Sequence, residues 1–137
     1  MKKGIVAAGL LFSTSALAQQ NPIDHALAQC LDGASTTVAM VSCYGRASQA
    51  WDSEMNRQYG QLMTTLSGEP KNKVRSAQRQ WLAYRDSWQA ASVAFFSRTQ
   101  GTLAQISIAA QGVDLVRNQA RMLQSLNKGS CASDTEC

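Results

Sequence analysis

The stretch that decides the fold is VAMVSCYGRASQAWDSEMNRQYGQLMTTL, residues 38–66. Its apolar side chains fall at Met40, Tyr44, Ala47, Trp51, Met55, Tyr59, Leu62 and Leu66, in steps of three and four. Residues three or four apart share one side of an α-helix, whereas a half-buried strand alternates with period two. The run therefore reads as one long amphipathic helix, about 40–45 Å at 1.5 Å per residue. Thr36 or Thr37 offers a side-chain oxygen to cap its first free N–H groups. Ser67-Gly68-Glu69-Pro70 ends it, with Gly68 closing this helix and Pro70 opening the next.

The next helix is expected over residues 70–98. Val74, Ala77, Trp81, Tyr84, Trp88, Ala91 and Phe95 recur in alternating steps of three and four, a strict heptad seam. Two long stripes joined by a short turn predict an antiparallel helical hairpin. A loop containing Gly101 follows, then a fourth helix over 103–126, lined by Leu103, Ile106, Ala110, Val113, Val116, Ala120 and Leu123. Gly112 weakens that helix by up to ~1 kcal/mol relative to Ala, so a bend or break is expected there. Upstream, Pro22 with Ile23, Ala26, Leu27 and Leu31 predicts a short helix ended by Asp32-Gly33. There is no strand alternation and no internal repeat. The expected fold is all-α, a small helical bundle built on a long antiparallel helical hairpin and stapled by disulfide. Trp51, Trp81 and Trp88 are expected in its core, with Met40, Met55 and Met63 as core filling.

The chain has 137 residues, enough for one domain. Residues 1–18 read as a secretory signal peptide: Lys2 and Lys3, a short apolar run, then Ala16-Leu17-Ala18 before a cleavage at Gln19. The apolar run is shorter than the ~20 residues a membrane span needs. Removing these 18 residues and their two lysines turns a 137-residue chain of formal charge +4 into 119 residues of charge +2. The mature part divides into a helical domain, 19–126, and a polar tail, 127–137, containing cysteine. Leu27-Ala28-Gln29-Cys30 is a poor lipobox, because Gln29 stands where a small residue is needed. The expected compartment is the bacterial periplasm or the exterior.

All four cysteines, Cys30, Cys43, Cys131 and Cys137, lie in the mature part, and an even count in an exported chain favours disulfides. The local pairings Cys30–Cys43 and Cys131–Cys137 are favoured over a cross-pairing that would staple the chain ends together. Closing the first loop constrains the unfolded chain by roughly 3 kcal/mol in the entropy model. No C-x-x-C is present and His25 is five residues from Cys30, so zinc is not expected.

Trp51-Asp52-Ser53-Glu54-Met55-Asn56, followed by Tyr59 and Leu62, resembles one signature of the lysozyme-inhibitor LprI N-terminal domain family. Ala77-Gln78-Arg79-Gln80-Trp81-Leu82-Ala83-Tyr84-Arg85-Asp86 is similar to its second signature, and Thr36, Met40, Cys43 and the upstream Cys30 resemble its start. The resemblance covers about residues 30–126. It implies a small exported bacterial protein, with lysozyme or another exported protein as partner and no cofactor. The family's second disulfide is missing, because Gln89 stands where many members carry a cysteine.

Asp52, Glu54, Arg85 and Asp86 form the candidate polar constellation, with Asn56, Tyr59, Gln78 and the two tryptophans of the signatures beside them. Asp52 and Glu54 point apart on a helix, so they make a poor general acid/base pair, and no catalytic residue is expected. Arg85 can stack on Trp81 or Trp88, or bridge to Asp52 or Glu54 across the hairpin. Lys71, Arg75 and Arg79 recur every four residues as a basic stripe, suited to an anionic envelope surface. A charge of only +2 in an exported chain argues against nucleic acid. It also gives no steering toward the common animal lysozymes, which are basic, unless Asp24, Asp32, Asp134 and Glu136 cluster into an acidic patch. His25 stands alone, and no nucleophile, phosphate-loop or metal motif is present. For an inhibitor, the turn at 67–73 and the loop at 100–102 are the two exposed candidates for insertion into a cleft.

Overall fold

The computed structural model describes residues 21–130, with the side chain of Ser130 excepted. Four helices run through them: α1 (Pro22–Asp32), α2 (Thr37–Thr65), α3 (Gly68–Thr99) and α4 (Ala104–Ser130), with a single 3-10 turn at Gly101–Leu103 before α4. No strand occurs among the described residues. The expected leader (1–18) and the Cys131–Cys137 pair lie outside them.

The helix ends follow local chemistry. Asn21 Oδ1 accepts from the Ile23 N–H at 2.9 Å to cap α1, with Pro22 at its first position. Thr36 Oγ1 accepts from the Ala39 N–H at 3.1 Å to cap α2. Gly68 takes φ 59° at the α2–α3 turn and Gly101 φ 55° at the α3–α4 turn, a left-handed conformation that L side chains resist. The Gly68 turn is tight enough that α3 begins two residues before Pro70. α4 does not break at Gly112, which sits inside one continuous helix. A Cβ there would face the Gln89 amide of α3 at 4.0 Å, so the glycine lies at a helix–helix approach. Helix α4 also extends to Ser130, past the expected end at residue 126.

α2 and α3 form an antiparallel hairpin, with Arg85 of α3 reaching back to Asp52 of α2. The closest partner of α2, however, is α4, which runs alongside it in the same direction for most of its length. Their shared core is Ala47, Trp51, Met55 and Leu62 from α2, and Val113, Val116, Ala120 and Leu123 from α4. α1 lays Ile23 and Leu27 on this core and is tied to α2 by the Cys30–Cys43 disulfide, Cα atoms 5.7 Å apart.

This arrangement corrects the expectation for the tryptophans. Trp51 is buried, Trp81 packs half-buried against the core, and Trp88 remains 43% exposed. Tyr84 and Phe95, on the same seam, are exposed as well. The physical reason is that the apolar stripe of α4 already fills the face of α2. α3 then rests mainly on α4, and its fully buried residues are Gln78 and Ser92, neither of them on the heptad seam.

Candidate functional site

The two signature segments meet across the α2–α3 groove. Arg85 is the centre of the meeting. Its Nε and one terminal nitrogen donate to Asp86 Oδ1 at 3.0 and 2.9 Å, and its other terminal nitrogen lies 4.0 Å from Asp52 Oδ1. Its guanidinium also stands over the Trp81 ring at 5.6 Å. Of the alternatives left open by the sequence, Arg85 therefore takes Asp52 and Trp81, not Glu54 or Trp88. Asp52 is not hydrogen-bonded to Arg85 at that distance; it accepts from Asn56 Nδ2 at 3.1 Å. The group is only partly covered, so its ion pairs are screened and contribute little to stability.

Glu54 turns along its own helix. Arg57 donates to both of its oxygens, at 2.8 and 2.7 Å, and Gln58 Nε2 donates at 2.7 Å. The Arg57 hydrogen bonds hold the Glu54 carboxyl below its ordinary range, outweighing the opposing effect of burial, and raise the Arg57 guanidinium in turn. Glu54 is thus kept as a carboxylate.

The other signature residues have packing roles. Tyr59 lies half-buried against the core. Gln78 Oε1 accepts from Gln119 Nε2 at 2.8 Å, which joins α3 to α4. Trp51 donates Nε1–H to Asp24 Oδ1 at 3.2 Å, beneath the Arg121 guanidinium 5.4 Å from its ring.

Beside the Arg85 group the groove continues between α2 and α3, with α4 as its floor. One stretch, about 390 Å³, is mostly apolar and lined by Tyr44, Gly45, Val93, Ile108 and Leu115 among others. The adjoining stretch, about 380 Å³, is polar and carries Asp52, Arg85, Gln49 and Gln89. The basic residues Lys71, Arg75 and Arg79 lie elsewhere on α3. Among the described residues none of the three forms an ion pair, and Arg75 donates only to Asn72 Oδ1 at 3.3 Å. No group of residues that could hold a metal is found among the described residues.

Several organising residues escaped the sequence reading. Asp24 accepts from Trp51, Arg117 (3.1 Å) and Arg121 (2.9 Å), and its side chain is only 13% exposed. It is spent inside the molecule and cannot belong to a surface acidic patch. Arg117 also pairs with Asp114. Gln58, buried on α2, accepts Asn127 Nδ2 at 2.6 Å, and Ser92 and Trp88 both donate to Gln111 Oε1, at 2.6 and 3.3 Å. Arg46 reaches from α2 to Cys30 Sγ at 2.6 Å. Apart from the i,i+3 pair of Asp114 with Arg117, these contacts span 16 to 97 residues of sequence, and no local pattern announces them.

No helix among the described residues is long and apolar enough to cross a membrane. No curated protein matches the chain. Among solved structures, the crystal structure of an uncharacterized protein from Burkholderia thailandensis is similar, with TM-score 0.75 and 29% identity over 81% of this chain and 56% of that one. The chain thus spans little more than half the length of that protein. The family model described as lysozyme inhibitor LprI matches residues 29–123, which includes α2, α3 and both signature segments, and the chain belongs to the LprI family.

Proposed function

We propose that this chain is an exported, non-enzymatic binding protein that inhibits lysozyme by occluding its substrate cleft. The family match over residues 29–123 carries the reading. Asp52, Glu54 and Asp86 support its non-enzymatic part. Glycosidic bond cleavage needs a protonated carboxyl facing a carboxylate about 5–10 Å away. Here Asp52 and Asp86 share one arginine, and Glu54 is held charged by another.

Of the two candidate segments, 67–73, which is the cap and first residues of α3, suits a lysozyme cleft better. Ser67 gives α3 no side-chain cap, so the first N–H groups of the helix stay open, beside Lys71 and Lys73. Glu69 in the first turn offsets part of this positive charge, and the two lysines leave the helix end at a net +1, which complements a cleft whose working groups are carboxylates. That local match offsets the lack of overall steering between two basic proteins. The loop at 100–102 offers no charge, and Gln100 is tied to Ser107.

The test is lysozyme lysis of cell walls with the purified chain added. Near-stoichiometric slowing is expected, and Lys71→Glu with Lys73→Glu should weaken it at least about tenfold, since the loss of even one charged contact of about 1.4 kcal/mol costs that factor. Thr102→Glu should leave it intact. No slowing by a large molar excess, across several lysozyme types, would sink the proposal. The second reading, attachment to an anionic envelope surface, rests on Lys71, Arg75 and Arg79, which have no carboxylate partner among the described residues. Salt-sensitive binding to anionic vesicles, lost when all three are replaced, would support it.

A further inference from the structure

We infer that the heptad seam of α3 is the contact face of a homodimer, in which two copies of α3 pack antiparallel about residue 86. The seam is regular enough to be a core stripe, yet its own fold leaves it largely uncovered: Tyr84 is 52% exposed, Trp88 43% and Phe95 61%. An aromatic side chain offers 150–250 Å², so these three rings alone leave about 300 Å² of apolar surface open on one copy. A few hundred Å² is the size of the largest apolar patch on an ordinary monomer, and such patches are often functional.

The occupant follows from the order of sizes along the seam. Antiparallel pairing about residue 86 sets Ala77 against Phe95, Trp81 against Ala91, and Tyr84 against Trp88. Large thus meets small at both flanks. At the centre the existing Tyr84–Trp88 stack, with centroids 6.1 Å apart, meets its own copy and becomes a four-ring cluster. A seam with steps of three and four places its two kinds of position opposite one another when two such helices run antiparallel. A surface that complements itself about a two-fold axis calls for a second copy.

Charge points the same way. Between Gln80 and Ser97 the charged residues are Arg85 and Asp86, and these pair with each other. The two-fold passes level with Asp86, but at 100° per residue Asp86 stands about 160° around the helix from Trp88, so its charge faces away from the second copy. The same neutrality makes the face a poor match for an anionic membrane, since Arg75 and Arg79 lie about 140–180° around the helix from Trp88 at 100° per residue. A stable interface takes about 800 Å² from each partner. The three rings supply about 300 Å² of that, and Met122 and Leu126 of α4, 65% and 50% exposed and lining a cleft with Ala77, extend the face sideways.

Sedimentation of the purified, oxidised chain across about 1–200 μM, a range that covers micromolar dissociation constants, tests the proposal. A monomer–dimer equilibrium is expected. Phe95→Glu and Tyr84→Glu should each leave a monomer with unchanged helical circular dichroism, because both sites are exposed in the single chain. Ala77→Lys added to Phe95→Glu should restore the dimer, since the antiparallel register puts the two side by side. A wild-type monomer at the highest concentration would overturn the dimer, as would a dimer indifferent to both glutamates. Failure of the paired variant to recover would overturn the antiparallel register. Capture of the wild-type monomer by anionic vesicles through this face would assign it to a membrane and overturn the proposal.

Discussion

At the scale of single residues, the side chain with most consequence for the fold is Asp24. It holds α1 by accepting from Trp51 of α2 and from Arg117 and Arg121 of α4, so three helices converge on one carboxylate. Removing one partner of a largely covered charge network costs more than the network contributes, because the remaining charges lose their compensation. Asp24→Ala leaves Arg117 with Asp114 as its one remaining ion-pair partner among the described residues, its Nε already buried without a hydrogen-bond partner, and frees the Trp51 indole N–H. The expected loss is about 2–4 kcal/mol, below the fully buried limit because Arg121 remains half open to water. Urea denaturation followed by tryptophan fluorescence measures it, and a loss under about 0.5 kcal/mol, the level of an ordinary surface substitution, would remove Asp24 from this role. Nothing adjacent in the sequence marks Asp24, since its partners lie 27 to 97 residues away.

At the scale of elements, periodicity placed all four helices and failed at what covers them. Steps of three and four on α2 and α4 correspond to the core faces observed, Ala47 to Leu62 and Val113 to Leu123. The same steps on α3 predict burial just as strongly, yet Trp88 and Phe95 are open. An apolar stripe fixes an angle on the helix; it does not say whether the surface opposite belongs to the same chain. The Arg85 bridge to Asp52 was within reach of the sequence because both lie on signature helices joined by a short turn. Gly112 shows a second limit. Propensity counts its backbone freedom and predicts a bend or break, but α4 runs through it as one continuous helix. Its glycine is therefore a cost without a required conformation. A Cβ at this site meets only the movable end of Gln89 at 4.0 Å. Gly112→Ala should raise stability by about 0.5–1 kcal/mol, read as a higher urea midpoint at unchanged slope. A lower midpoint would mean that α3 and α4 need the closer approach that glycine allows.

At the scale of the whole molecule, the bundle is built of unequal parts. α2 and α4 share an apolar core that includes Trp51, Met55, Leu62 and Val113, all nearly inaccessible to water. α3 adds Val74 and half-buried Trp81 to that core, and is otherwise held by amide and hydroxyl contacts, Gln78 with Gln119 and Ser92 with Gln111. Each such hydrogen bond contributes about 1 kcal/mol net, because water competes for both partners. Burial of one large apolar side chain contributes about 1.5–3 kcal/mol. The attachment of α3 is therefore the weaker joint, and it should open without unfolding the rest. Native-state hydrogen exchange tests this in the Phe95→Glu variant, where self-association cannot protect the helix. Amides of α2 over 43–62 and of α4 over 113–123 should exchange only by global unfolding, and those of α3 over 80–98 at a lower opening free energy. Equal protection across the three helices would show that α3 folds and unfolds with the core. In the wild-type chain at high concentration, protection should rise selectively along α3, because docking a second copy on its seam supplies the apolar cover that the single chain lacks.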